Sequence, residues 1–382
     1  MQCLACGCGN LRPCLDLGAQ PLANDFKKTD SENEDSYPLA VVLCSQCHHL
    51  QLDYFIDPDL MFKHYLYVSG TSSVFRQHME WFVTLTGAGS DHDVLDIGCN
   101  DGTQLDVFKE RGCRTWGVDP AENLFQISSK KHNVHLGYFE TYNPMGMTFD
   151  VMCAQNVFAH NRDPLAFLIH AKTMMGPHTK FYIQTSQADM VQNGEFDTIY
   201  HEHINFFNVF SFQRLAERAG LVLTDVFKTP IHGTSFMFIV SRNDQPTSNV
   251  QALIDAENVQ GVHSLVFYYS WAEKARAFAR KIKTDLDGKY VVAYGAAAKG
   301  NTLLNFVGLR PAMIIDDNSL KQGLFSPGVR APVLPSSSIH TLPDEPVVFL
   351  PLAWNFFDEI KAKILALRNR PDDVFYNLAK VV

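Results

Sequence analysis

Hydrophobic and polar positions follow two regimes along this chain. From about residue 73 onward, short unbroken apolar runs alternate with segments whose apolar residues recur every three or four positions. The first pattern belongs to buried strands and the second to amphipathic helices. VFRQHMEWFVTL predicts a helix, DVLDIG (93–98) a buried strand, and TQLDVFKERG a helix ending on Gly112. TWGVDP (115–120), FDVMCAQNV (149–157) and KFYIQTS (180–186) predict further strands, with helices over ENLFQISSKK and PLAFLIHAKTMM. Such alternation predicts an α/β fold, a parallel sheet with helices on both faces. Residues 250–286 read as one long helical stretch leading to a second α/β unit. There KYVVAYG (289–295), PAMIIDDN (311–318) and PVVFLPL (346–352) are strands, AAKGNTLLNFVG is a loop and helix, and AWNFFDEIKAKILAL closes the chain as a helix. The first 75 or so residues show neither period and read as irregular, with TDSENEDS (29–36) a solvated acidic loop.

Length and composition narrow the picture. A chain of 382 residues predicts two or three domains. A formal charge of -9 without a basic stripe argues against a nucleic-acid partner. No apolar run is long enough to span a bilayer, and MQCLACGCGN is not a secretory signal, so a cytoplasmic protein with no membrane partner is expected. Of nine cysteines, Cys3, Cys6, Cys8, Cys14, Cys44 and Cys47 crowd into the first 47 residues. In a large intracellular chain such clustering points to metal rather than disulfides. Cys3-x-x-Cys6 and Cys44-x-x-Cys47 can place four thiolates on one zinc ion, with Cys8, Cys14, His48 or His49 as possible replacements. Four thiolates leave no open coordination position, so the zinc is read as structural.

Asp96-Ile97-Gly98-Cys99-Asn100-Asp101-Gly102-Thr103 follows a buried strand and opens a helix. Its glycines let backbone approach a ligand at the carboxyl end of the sheet, but the spacing is not that of a dinucleotide site. The next strand ends in Asp119, a carboxylate able to accept from two adjacent hydroxyls. The third ends in Gln155-Asn156-Val157-Phe158-Ala159-His160, placing His160 at the crevice edge. Farther on, Tyr200-His201-Glu202-His203 gathers two imidazoles, a carboxylate and a phenol. Histidine beside a carboxylate suits proton abstraction near neutral pH, and HExH lacks the spacing of a helical zinc-protease site.

Together these stretches resemble a known family, the zinc-binding, S-adenosylmethionine-dependent C-methyltransferases of nucleotide-linked 4-keto-6-deoxysugars. The resemblance covers nearly the whole chain: both CxxC pairs, DIGCNDGT, NVFAH, YHEHINFF, YGAAAKGNTLLNF, IDDNSLKQGLFSPG and LAWNF, in the family's order. It implies a zinc-binding module (1–75), a class I, Rossmann-like methyltransferase domain (76–245) and a C-terminal α/β substrate-binding domain (246–382). Cofactor contacts then fall on Asp96, Gly98, Asn100, Gly102, Thr103, Asp119 and Asn156. The family's base falls on His203, with Glu202 and Tyr200 in its neighbouring positions and His160 as a further active-site histidine. A site tyrosine corresponds to Tyr67 or to nearby Tyr65. Lys299, Asn301, Lys321 and Gln322 lie in C-terminal motifs implied to contact the nucleotide. The implied reaction adds a methyl at C-3 of a GDP- or dTDP-linked 4-keto-6-deoxyhexose: the ketone acidifies the C-3 proton, His203 removes it, and the enolate carbon takes the methyl. A monomer is expected.

Three rivals remain at this level. An O- or N-methyltransferase would use the same cofactor loop without carbon-acid chemistry. An NAD-dependent oxidoreductase could be built on YGAAAKGN, which lacks GxGxxG spacing. A non-enzymatic zinc adaptor would leave the crevice residues without a role.

Overall fold

A computed structural model of the chain describes residues 1–62, 73–231 and 233–380. In chain order, the first elements are β1 (Leu11–Gln20), β2 (Tyr37–Cys44), β3 (Leu50–Leu52), α1 (Asp59–Phe62) and α2 (Ser73–Thr86). Next come β4 (Asp93–Ile97), α3 (Thr103–Glu110), β5 (Arg114–Asp119), α4 (Glu122–Ser128), β6 (Asn133–Leu136), β7 (Phe149–Gln155), α5 (Pro164–Thr173) and β8 (Met175–Thr185). They are followed by β9 (Asn205–Phe206), α6 (Val209–Arg218), β10 (Val222–Thr229), β11 (Ser235–Ser241), α7 (Ser248–Gln260) and α8 (Leu265–Leu286). The last are β12 (Val291–Tyr294), α9 (Ala298–Val307), β13 (Met313–Ile315), β14 (Val333–Leu334), β15 (Val348–Pro351), α10 (Phe357–Leu367) and β16 (Val374–Phe375). Two compact units result: Met1–Pro13 with Val42–Asp189 and Glu202–Phe267, and Cys14–Val41 with Met190–His201 and Tyr268–Val382.

In the first unit a sheet runs in the order β10-β11-β8-β7-β4-β5-β6. β4 pairs in parallel with β5 and β7, and β7 in parallel with β8. Successive strands are laid outward from β4 through β5 to β6, then on its other side from β7 to β8. The carboxyl ends of β4 and β7 therefore flank the crevice at which ligands of open α/β sheets bind. The central strands are apolar on both faces because helices cover both. On one face Phe82 of α2 meets Phe108 of α3 and Tyr182 of β8 edge-on. On the other, Phe158, Phe167, Phe212 and Phe238 form a continuous aromatic core, with Phe212 and Phe238 stacked 3.9 Å apart. β3 pairs antiparallel with β9, Leu50 opposite Phe206 and Gln51 opposite Asn205.

The second unit holds a wholly parallel sheet in the order β14-β13-β12-β15-β16. Val292, Tyr294, Ile315, Phe349 and Ile364 fill its core. The turn after β12 passes through Gly295 at φ 95°, a left-handed conformation that glycine adopts without Cβ strain.

Both predicted α/β units are present, with three differences. Two long strands, β1 and β2, occupy the segment read as irregular; Pro13 and Gly18 break the alternation of β1 and hide it in the sequence. The first sheet is not purely parallel: β10 and β11 add an antiparallel pair at its edge. The stretch 250–286 is two helices, α7 stopping at Gly261 in a left-handed cap. Among the described residues, no helix is long and apolar enough to cross a membrane.

α6 starts immediately after β9 and is capped twice. Asn208 Oδ1 accepts from Ser211 N at 2.7 Å, and Ser211 Oγ accepts in turn from Asn208 N at 3.1 Å. Glu257 Oε1 accepts from Val209 N at 2.7 Å. Asn208 also donates to the His48 carbonyl at 2.8 Å. Asn208→Ala should therefore destabilise the unit by about 2 kcal/mol. Urea unfolding checks this; a loss under about 0.5 kcal/mol would mean the Glu257 cap suffices.

Candidate functional site

The four predicted zinc ligands converge. Sγ atoms of Cys3, Cys6, Cys44 and Cys47 all lie within 4.8 Å of one another. Cys3 and Cys47 are 3.6 Å apart and Cys6 and Cys44 3.5 Å. Zn–S bonds of about 2.3 Å in a tetrahedron require edges of about 3.8 Å, so the cluster fits zinc. Without a dication the thiols cannot all ionise. Hydrogen bonds from Cys3 and Cys47 push the Cys44 thiol down, while that bond to Cys44, with burial, pushes Cys3 up to about 12. The replacements are placed elsewhere. Cys8 Sγ accepts from Asn10 N, Cys14 is directed at the Tyr268 carbonyl, His48 stacks on His263, and His49 Nε2 meets Asn205 Oδ1 at 3.1 Å.

The glycine loop is set by backbone conformation. Gly98 and Gly102 have φ of 75° and 83°, and Asn100 has 52°. A Cβ on Gly98 would overlap the Val157 side chain, so only glycine lets the β4 turn approach the end of β7 this closely. Asp119 closes the loop: its Oδ2 accepts from Asn100 N and its Oδ1 from Ala121 N, each at 2.8 Å. Burial raises its pKa, and those two donors oppose the rise. Asp101 Oδ1 accepts from Thr103 N and Oγ1. Asp96 lies deeper, 4% exposed, accepting from Cys153 Sγ. Burial pushes its pKa up to about 7. Asn156, at φ 57°, holds a buried Oδ1 without a hydrogen-bond partner.

His160 and His203 come together in the same unit, ring centroids 5.1 Å apart. Ile204 N donates to the Ala159 carbonyl and Leu52 N to the Ile204 carbonyl, both at 2.9 Å, fastening the His203 segment between β3 and the turn after β7. His160 Nδ1 lies 2.6 Å from the Glu202 carbonyl, which only accepts. Nδ1 therefore carries the proton, and burial lowers the ring's pKa so that it stays neutral. A second hydrogen bond links the ring to the Asn156 backbone. Phe62 packs edge-on against this ring at 5.6 Å. Glu202 and His203 are both buried. His201 differs: in the second unit, its Nε2 faces the Tyr37 and Pro38 carbonyls, a structural arrangement. Tyr200 also falls in that unit, and Tyr65 and Tyr67 lie outside the described residues.

A polar group that the sequence reading did not single out lies at the same sheet edge. His78 of α2 places Nε2 3.1 Å from Gln155 Oε1 and 2.8 Å from Gln184 Oε1. Gln155 Nε2 donates to Gln104 Oε1 at 2.8 Å. The available signal was polar residues inside apolar runs, Gln155 and Gln184 at strand ends and His78 in a helix.

In the second unit, the residues implied to contact nucleotide are partly engaged. Lys299 pairs with Glu195 at 3.2 Å. Asn301 is fully buried and donates to the Ala23 carbonyl. Lys321 Nζ donates to the Ala296 carbonyl and lies over the Phe26 ring, and burial lowers its pKa. Gln322 donates to the Asp316 carbonyl.

Comparison with known proteins gives three family matches along the chain. Residues 3–62 match a "Putative zinc binding domain", 73–226 a "Methyltransferase domain", and 230–375 a "C-methyltransferase C-terminal domain". The C-methyltransferase NovU of Streptomyces niveus is 31% identical over 391 residues, spanning 94% of this chain and 91% of that protein. A ubiquinone biosynthesis O-methyltransferase of Coxiella burnetii is 22% identical over 185 residues, 44% of this chain and 77% of that protein.

Two outcomes follow from this geometry. The purified chain should hold one zinc ion by elemental analysis, and Cys47→Ser should lose it and lower the melting temperature. Full metal content in that variant would contradict the four-thiolate site. Asp96 gives a pH signature. From about pH 4 to 7 the folded protein keeps a proton that the unfolded chain has released, so stability of the ligand-free protein falls as pH rises through that window. The loss is about 4 kcal/mol, with no further change above it. Asp96→Asn should then raise the melting temperature relative to the parent at about pH 8 but not at about pH 4. An equal effect at both would mean the carboxyl is not held protonated.

Proposed function

The chain belongs to the S-adenosylmethionine-dependent C-methyltransferases, and from that premise we propose that it methylates C-3 of a nucleotide-linked 4-keto-6-deoxyhexose, GDP- or dTDP-bound. The observation that carries this reading is the pair of imidazoles at the sheet's carboxyl edge, His160 and His203. Methylating carbon requires a base for a C–H proton, whereas oxygen and nitrogen acceptors already present a lone pair. A ketone next to the reacting carbon makes that proton acidic enough for histidine.

Bound S-adenosylmethionine supplies an electrophilic methyl group. Gly98, Asn100, Gly102 and Thr103, with Asp96 and Asn156, would hold it at the carboxyl edge of the sheet. Asp119 would take the ribose hydroxyls on the lone pairs its two backbone donors leave open. His203 removes the C-3 proton and Glu202 orients it. His160 and Tyr200 stabilise the enolate oxygen; the site tyrosine corresponds to Tyr67 or Tyr65, which lie outside the described residues. Fixing carbon and methyl in line supplies much of the rate. Lys299, Asn301, Lys321 and Gln322 belong to the motifs that serve the nucleotide, with Lys299 and Lys321 as the cations suited to its diphosphate.

The test is proton exchange. In deuterated water the enzyme should wash deuterium into C-3 of the keto-sugar. His203→Asn should lose that exchange and about 10³-fold in turnover while still binding S-adenosylmethionine. Near-parental exchange and turnover would overturn the assignment. Exchange surviving in His203→Asn but lost in His160→Asn would move the base to His160.

A further inference from the structure

The four-residue polar network at the sheet edge has a donor surplus. His78 Nε2 lies against two amide oxygens, those of Gln155 and Gln184, which can only accept, so its single N–H is shared between them. Gln155 spends an N–H on the Gln104 oxygen. All three amide oxygens are thereby occupied, which fixes which way each amide faces. The Nε2 groups of Gln104 and Gln184 are left buried and without an acceptor. Gln104 is 4% exposed and Gln184 0%. Buried amide N–H groups without partners are rare in folded proteins because each forfeits its bonds to water. An apolar pair would pack here at lower cost, so these two donors are arranged for something that accepts.

Their position says what. Gln104 lies in the first turn of α3, directly after the glycine loop, and Gln155 and Gln184 lie at the carboxyl ends of β7 and β8. Asp119, suited to ribose, ends β5 on the opposite side of β4. β5 and β7 are two strand spacings apart, about 10 Å. A ligand with its nucleoside over β5 and extending across the β4 loop therefore brings its far end over β7 and α3. For S-adenosylmethionine that far end is an amino acid, and its carboxylate offers two oxygens to two amide donors. The unpartnered Asn156 Oδ1 at the end of β7 is the matching acceptor for the ammonium.

We propose that Gln104 and Gln184 form the seat of the cofactor's methionine carboxylate, and that His78 and Gln155 act as positioning residues that turn both amides toward it. The inference rests on the methyltransferase reading and is independent of the sugar.

Calorimetry on the full chain tests it with two ligands, S-adenosylhomocysteine and decarboxylated S-adenosylhomocysteine, which lacks only the carboxylate. Gln104→Met and Gln184→Met keep side-chain length and remove the donors. Each should weaken S-adenosylhomocysteine by about tenfold and leave the decarboxylated ligand within about twofold. His78→Phe should show the same selective loss, which a general loosening of the fold would not. If a Met variant fails to fold, Gln104→Glu replaces a donor with a like charge and should reverse the preference toward the decarboxylated ligand. Equal weakening of both ligands, or of neither, would overturn the assignment and leave the methyltransferase reading intact. If the parent protein bound neither ligand, both would fall.

Discussion

Antiparallel pairing of β3 with β9 is the constraint on which the placement of His160 and His203 in the first unit depends. β3 starts three residues after Cys47, so the thiolate cluster fixes where it begins. β9 starts two residues after His203. Between them, Leu52 donates to the Ile204 carbonyl and Ile204 to the Ala159 carbonyl. His49 meets Asn205, which donates in turn to the Asn161 carbonyl at 2.7 Å. The strand pair thus ties the segment that follows the thiolate cluster to the turn carrying His160 and the segment carrying His203. A segment this small gains much of its folding free energy from the metal, so an ion remote from the chemistry still governs its geometry.

A second constraint is the closeness of the β4 turn to the end of β7. Gly98 permits it, and Gly117 does the same on the other side, where a Cβ would come within 2.6 Å of Cys99 Sγ. The sheet's carboxyl edge becomes narrow and polar, with Asp119 toward β5 and the amide network toward β7 and β8. Burial at this edge keeps His160 neutral and raises the pKa of both Asp96 and Asp119. Such perturbation is what a site built for charge and proton handling requires.

Much of this was legible in the sequence because the signals are local. A CxxC pair, a glycine turn after an apolar strand and an acid at the next strand end each declare themselves within a few residues. β1 and β2 did not, since their burial is set by neighbours distant in sequence rather than by a clean alternation. His201 and His203 are indistinguishable by residue type; only the fold gives one to the Tyr37 and Pro38 carbonyls and the other to the His160 ring. The amide network is the clearest case. His78 and Gln184 are 106 residues apart, and each alone reads as an ordinary polar residue in an apolar run.

Methyl transfer to a sugar carbon is tested most directly by product analysis. The protein would be incubated with S-adenosylmethionine and a panel of GDP- and dTDP-linked 4-keto-6-deoxyhexoses, with mass spectrometry to detect added methylene and NMR to locate it. A new methyl on C-3 in one nucleotide series is expected. A methyl on oxygen or nitrogen, or no methylation across the panel by protein that binds S-adenosylmethionine, would contradict it.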